Sequence, residues 1–320
     1  MGSNLHSRLS KARSGGWGQD QALPPQAQRP WLRSAHRQHR WAARPRLVGG
    51  VALLVLCAIL LLVLAGPLVW RADPDTTNLA GTFAGPSAAH PLGTDELGRD
   101  ILSRLLHGGR RSLGGAVVVL AGGLGIGLLA GALAGMLGGR TDALLSRLID
   151  GLLALPTLVL AFALVGVLGR SFGNLLLALT LAHWPWYARI CRSLVLRERH
   201  QDYVLAAQTL GVPVTRIVWR HIGPNILGPI LVLISTSLGG AILSLTALSF
   251  LGLGVQPPTA EWGAMVSSAR PYFQTNPWVI AAPGLAISAT VVALTMLGDA
   301  LRDAADPRLA HRAGSDTTFD

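Results

Sequence analysis

Asp202-Tyr203-Val204-Leu205-Ala206-Ala207-Gln208-Thr209-Leu210-Gly211, running on to His221-Ile222-Gly223-Pro224-Asn225, is the stretch on which the reading of this chain turns. It is a polar interruption between two long uncharged runs. Its pattern predicts a short helix, a glycine turn at Gly211, a second short helix, and a proline stop at Pro224 that can start the helix after it. Held between apolar spans, such an element is a handle that something outside a bilayer can push.

The rest of the chain supplies the bilayer. Of 320 residues, 50% are hydrophobic and 13% charged, with a mean hydropathy of +0.45. Soluble domains carry about 25% charged residues, so composition alone indicates a membrane protein. Apolar runs at about 47–69, 113–137, 148–168, 172–191, 226–253 and 279–297 each approach the roughly 20 residues a spanning helix needs, which predicts six transmembrane helices and an all-α polytopic fold. The domain plan is a basic, disordered cytoplasmic tail over 1–46, a first helix over 47–70, an outer segment over 71–111, a core over 112–303 containing the loop 194–224, and a cytoplasmic tail over 304–320. The first apolar run is too long for a signal-peptide core, so it reads as a retained anchor. Pro156, Pro185 and Pro229 are expected to kink or start their helices.

Charge sets the orientation. The net charge is +11, from 27 basic and 16 acidic residues, and nine of the bases precede the first span. Next to a membrane span this marks the cytoplasmic side rather than nucleic-acid binding. Six spans then place both termini and the loop 194–224 inside. Arg99, Arg104, Arg110 and Arg111 fall outside, against the positive-inside trend. Between 94 and 107, Thr94 reads as an N-cap, Asp95/Arg99 and Asp100/Arg104 as i,i+4 pairs, and Gly108 as a stop, so a surface amphipathic helix is expected there. In the second span Gly123, Gly127, Gly131 and Gly135 recur every four residues, a bare stripe on which another helix can pack closely. Trp262, Tyr272, Phe273 and Trp278 suit a membrane interface.

The sequence offers no catalytic constellation. His183, His200 and His221 have no carboxylate or cysteine at ligand spacing, and Cys57 and Cys191 suggest neither a disulfide nor a metal site. There is no Gly-x-x-x-x-Gly-Lys-Ser/Thr loop, and the sole lysine is Lys11. The spans hold almost no ionisable groups, whereas ion-coupled transporters place them inside the membrane. Asp150, the nearest candidate, reads as a helix-end ion pair. The energy for any transport must come from a partner.

Ala206-Ala207, Gly211 and Pro224 resemble, at matching intervals, the Glu-Ala-Ala…Gly…Leu-Pro loop of binding-protein-dependent ABC importer permeases. Gly93-Thr94-Asp95-Glu96-Leu97-Gly98-Arg99-Asp100, Leu248-Ser249-Phe250-Leu251-Gly252-Leu253-Gly254-Val255-Gln256-Pro257-Pro258, Glu261-Trp262-Gly263 and Leu297-Gly298-Asp299 with Arg302-Asp303 and Asp306-Pro307-Arg308 extend the likeness to the C-type subunit of the dipeptide/oligopeptide/nickel permeases, over about residues 45–310. The resemblance implies a type I ABC permease fold and a coupling helix docking on a cytoplasmic ATPase through Ala206, Ala207, Gly211, Val212, Arg216, Arg220, His221 and Pro224. Pro185, Tyr187 and Arg189 become a candidate gate, with an aromatic belt and snorkelling arginines as the competing reading. It implies a second, homologous permease as heterodimer partner, two ATPase subunits or domains that use ATP and Mg, an extracytoplasmic solute-binding protein touching 94–107 and 254–277, and no cofactor or nucleic acid on this chain. The bacterial cytoplasmic membrane is the expected location and peptides the expected cargo, with nickel or glutathione second and an ion-coupled transporter the rival from another class. The chain departs from the family pattern at Leu205, Gly223 and Leu245, where acid, leucine and acid are usual.

Overall fold

Apolar runs that cannot hydrogen-bond to lipid must close their backbone bonds internally, and the computed structural model, which describes residues 45–305, does so with helices. The tails expected over 1–46 and 304–320 lie, apart from residues 45, 46, 304 and 305, outside the described residues. Helix α1 spans Pro45–Val69, α2 Ile101–Leu137, α3 Gly139–Leu153, α4 Thr157–Leu168 and α5 Phe172–Arg199. Then come α6 over Asp202–Thr209, α7 over Val214–Ile217, a π turn over Val218–Ile222, and α8 over Gly223–Phe250. Helix α9 spans Trp262–Ala269 and α10 Pro277–Ala305. Among the described residues, four helices are long and apolar enough to cross a membrane, or five if the bent pair α3/α4 is one span. The remaining expected span, the fourth in chain order, lies on α5, whose 28 residues include Asn174, Thr180, His183, Arg189 and Arg192 and fall short of that apolarity.

The centre of the bundle is aliphatic. Val119 of α2, Val165 of α4, Leu175 and Leu179 of α5, Ile242 and Leu245 of α8 and Leu294 of α10 form its main core. Leu245, where the family pattern has an acid, is fully buried there.

Three expectations need correction. Pro156 starts a helix as expected, but the run 148–168 is not one helix: it belongs to two, α3 and α4, that meet at 89°. Pro156 ends the turn, and the residue before a proline is driven out of the helical region, so the chain turns at Leu155. Second, no amphipathic helix begins at Thr94. Asp95 accepts hydrogen bonds from the backbone N–H groups of Leu97 and Arg99, both at 2.9 Å, which competes with helix formation. Gly98 sits at φ +70°, with the carbonyl of Asn78 occupying the space a Cβ would need. The helix instead starts at Ile101, capped by Asp100, whose side chain accepts from the Ser103 N–H. Gly108 does not stop it; Gly108 and Gly109 form a flat seat for Glu261 and the Trp262 ring. Third, Trp262 is no interfacial residue. It is 1% exposed and donates from Nε1 to the Leu105 carbonyl at 2.9 Å.

The four arginines that seemed misplaced are consumed locally. Arg99 pairs with Asp95 at 2.6 Å and with Glu96 at 2.8 Å. Arg104 does not take Asp100; it reaches Asp95 at 3.5 Å and Asp75 at 3.3 Å, and donates to the Pro74 and Pro258 carbonyls. Arg110 donates to the carbonyls of Val63 and Leu64, and Arg111 to that of Ala260. Neutralised or hydrogen-bonded in this way, they carry little topological signal.

The same region ties the loop 251–276 to α2. Glu261 is fully buried, accepting from Ser112 Oγ at 2.7 Å and, as the N-cap of α9, from the Ala264 N–H at 2.9 Å. Replacing Glu261 with Ala orphans both donors in a dry site. The expected cost is about 2–4 kcal/mol, read as a lowered thermal unfolding midpoint of the detergent-solubilised protein, with Glu261→Gln losing less because it keeps one acceptor.

Candidate functional site

The decisive stretch folds as a compact bracket between α5 and α8. Asp202 opens α6, its charge favourable at the helix N-terminus. The helix closes with a Schellman arrangement: the Val212 N–H donates to the Ala207 carbonyl at 3.1 Å and the Gly211 N–H to the Gln208 carbonyl at 3.0 Å. Gly211 occupies φ +73° with open space where a Cβ would go, so backbone conformation rather than crowding selects glycine there. Pro213 starts α7 from an extended conformation.

Pro224 does not stop a helix. The chain from Val214 to Phe250 is continuous. A proline removes one N–H and its ring crowds the carbonyl four residues back. The π turn just before it relieves that clash, with the Gly223 N–H reaching five residues back to Val218. The second half of the bracket is therefore an extension of a membrane helix, rigidly joined to it, and not a separate segment.

The bracket is built into the bundle by side chains of six elements. Val204 and Ala207 of α6, Ile217 of α7, Ile222 of the π turn and Ile226 and Ile230 of α8 share one buried cluster with Met136 of α2 and Cys191 and Val195 of α5. Val212 packs against its edge. This leaves Tyr203, Leu205, Leu210, Val214 and Trp219 exposed, with Leu210 at 83% and Trp219 at 82%. Arg216, Arg220, Ala206 and Pro224 are also exposed, and His221 is half-buried. One face of the bracket is thus core and the other an apolar ridge flanked by positive charge. Sequence reasoning took Val212 to Ile222 as the docking surface and named Arg216, Arg220 and His221 on it, but did not single out Trp219 and left out Leu210; the single signal available was their position beside polar neighbours, outside any apolar run.

A polar bridge completes the bracket. Tyr203 Oη donates to Glu198 Oε2 at 2.6 Å, and Asn225 Nδ2 donates to Tyr203 Oη at 2.9 Å and to the His221 carbonyl at 2.7 Å. The Tyr203 phenol is pushed above its ordinary pKa, first by desolvation and then by the Glu198 carboxylate, and so stays a donor.

The glycine stripe lies directly behind. A Cβ on Gly127 would stand 2.5 Å from Tyr187 Cβ and 2.9 Å from the Trp184 carbonyl, and one on Gly131 2.5 Å from the Ala188 carbonyl. Gly123 faces the Tyr187 ring and Gly135 faces Val195. Tyr187, 2% exposed, is therefore packed into this seam with Leu120 and Leu124 and does not stand in an interfacial belt. Pro185 is buried inside α5. Arg189 crosses to Asp150 of α3, and Arg192 grips Asp142 with two hydrogen bonds, the longer 2.7 Å. Asp150 is thus an ion-pair partner near the end of α3, as expected, and its cation comes from α5.

Residues 127–311, which contain the bracket and most of the seam, match the family described as binding-protein-dependent transport system inner membrane component. The chain belongs to that family. This permease is 41% identical to the nickel transport system permease protein NikC of Escherichia coli K12, over 84% of its own length and 95% of that protein. It is 47% identical to the dipeptide transport system permease protein DppC of the same organism, over 70% and 75%, and 38% identical to that of Alkalihalophilus pseudofirmus, over 81% and 85%. The permease thus has the all-helical type I ABC importer fold and falls among the C-type subunits of the dipeptide and nickel branch. It is a multi-pass membrane protein and a translocating subunit, not the ATPase. ABC permeases of this kind work with ATPases, a solute-binding protein and a second permease, and bind no cofactor as a rule. That assignment sets aside the ion-coupled alternative.

Proposed function

We propose that the chain is one of two permease subunits of an ATP-driven importer that carries short peptides across a bacterial cytoplasmic membrane, with both termini and the bracket on the cytoplasmic side. The observation that carries this is the exposed ridge of Leu205, Leu210, Val214 and Trp219 with Arg216 and Arg220, mounted on a core shared with α2, α5 and α8. An aromatic and aliphatic ridge of this kind, with basic neighbours, suits a groove on a soluble partner. Ala206, Ala207, Gly211, Val212, His221 and Pro224 shape and seat it. ATP binding would close the two ATPases, draw the brackets of both permeases together, and rock the bundles from inward- to outward-facing; hydrolysis would reset them. Helix α5 supplies the remaining span, with its polar residues turned to neighbours within the bundle, and Pro185, Tyr187 and Arg189 belong to the part that moves.

At the far end of α8, about 40 Å away at 1.5 Å per residue, Phe83 packs on Tyr272 with ring centroids 4.8 Å apart, and Leu79 and Phe273 are exposed. This end is the proposed seat of the solute-binding protein. Nickel is the second reading for the cargo, favoured by the 41% identity to the nickel permease.

A reactive cysteine at Thr209, introduced as Thr209→Cys in a Cys57→Ser background that retains only the buried Cys191, tests the assignment. It should react with a membrane-impermeant maleimide in inside-out vesicles only, and crosslink to the co-expressed ATPase. Reaction from the outer face would overturn the topology. Uptake of labelled alanyl-alanine against that of radioactive nickel by the assembled transporter decides the cargo.

A further inference from the structure

Two buried side chains hold α6 to the bundle, Val204 and Ala207, three residues apart on one face. Contacts of that kind fix where an eight-residue helix sits but leave it able to roll about the line joining them. Its orientation needs a directional contact off that line, and the Tyr203 hydroxyl supplies it. Tyr203 stands in the first turn of α6, Glu198 in the last turn of α5, and Asn225 in the first turn of α8. The phenol oxygen is the point where all three elements meet, giving a proton to Glu198 and receiving one from Asn225. Asn225 is itself oriented by the His221 carbonyl, and the His221 ring lies beside the Tyr203 ring with centroids 6.4 Å apart. Among the described residues, no other side-chain hydrogen bond joins α6 to α5 or α8.

We propose that the Glu198–Tyr203–Asn225 bridge is the positioning device that locks α6 to α5 and α8 together, so that displacement of the bracket moves both helices as one body. The proposal rests on the coupling role given to the bracket above. Without the bridge, the apolar anchor remains and the partner still docks, but part of each stroke is lost as rolling of α6. Leu205, two positions further along the same helix, is apolar and exposed and offers no polar substitute.

The test uses the full transporter, assembled with its partner permease and ATPases in lipid vesicles, in a Cys57→Ser background. Docking is read by crosslinking of Leu210→Cys to the ATPase. Coupling is read by the stimulation of ATP hydrolysis by the solute-binding protein. Rigidity is read by the distance between spin labels at Thr209→Cys and Leu231→Cys, with and without vanadate-trapped nucleotide. In the parent, crosslinks form and the label distance is the same in both nucleotide states. Tyr203→Phe keeps the ring and removes only the hydroxyl. It should keep the crosslinks, reduce stimulation about fivefold, the usual scale for one hydrogen bond, and make the distance broad and nucleotide-dependent. Glu198→Gln, which still accepts, should stay near the parent, and Asn225→Ala should resemble Tyr203→Phe. Parental stimulation and distance in Tyr203→Phe, or loss of its crosslinks, would overturn the bridge. Absence of crosslinks in the parent would overturn both the bridge and the coupling role beneath it.

Discussion

Gly131→Leu is expected to remove most folded permease from the membrane. The Cβ alone would lie 2.5 Å from the Ala188 carbonyl, 2.7 Å from Cys191 Cβ and 2.9 Å from the Arg192 nitrogen. Two of those three atoms are backbone of α5, so no rotamer change relieves the contact; the helices must separate. Separation opens the whole seam, because Gly127 approaches α5 as closely one turn before and Gly135 lies against Val195 one turn after. Between helices in lipid, van der Waals packing replaces the hydrophobic effect as the main cohesive term, and overpacking costs about 1–3 kcal/mol per site. A double Gly127→Leu/Gly131→Leu variant should lose about 2–6 kcal/mol on that scale, a large share of a stability margin of about 5–15 kcal/mol, and so lower both membrane abundance and the unfolding midpoint in detergent further than the single variant. Gly125→Leu is the control, since nothing lies within 4 Å of its would-be Cβ. Equal behaviour of Gly131→Leu and Gly125→Leu would mean that the close seam does not exist.

The second large effect is expected at the ridge. Trp219, 82% exposed, makes little contribution to the isolated chain, so its replacement should leave folding intact. In the assembled transporter a buried tryptophan is the commonest kind of hot spot, worth about 2–4 kcal/mol, or roughly 30- to 1,000-fold in affinity. Trp219→Glu should accordingly abolish co-purification of the ATPase and uptake together, while the detergent-solubilised permease unfolds at its parental temperature. Leu210→Glu should act in the same direction. A Trp219→Glu protein that retains its ATPase would show that the ridge faces lipid or another subunit instead.

Much of this molecule is visible in one dimension. Six apolar runs all became helices because a bilayer leaves the backbone no other partner, and the four-residue glycine period forecast a seam because that period defines a helix face. The positions of Ala206, Ala207, Gly211 and Pro224 likewise marked the bracket. The misreadings have a common cause. Thr94–His107 has helical spacing, yet Asp95 takes two backbone donors for its own side chain, a choice that becomes favourable because Arg99 and Arg104 are folded in beside it. Trp262 resembles an interfacial aromatic until Gly108 and Gly109, some 150 residues earlier, are seen to make its seat. Pro224 reads as a stop because the π turn that absorbs it has no sequence signature.

Local sequence therefore determined most of the helical segments, the breaks at Pro156 and Gly211 and which faces are bare, since those depend on interactions within a few residues. Tertiary structure alone decided that Asp150 meets Arg189, that Tyr187 belongs to a seam, that Leu210 and Trp219 stand outward, and that one phenol joins three helices. Each of those is a contact between residues distant in the chain, and whether it forms depends on how the helices pack, which no short window of residues encodes.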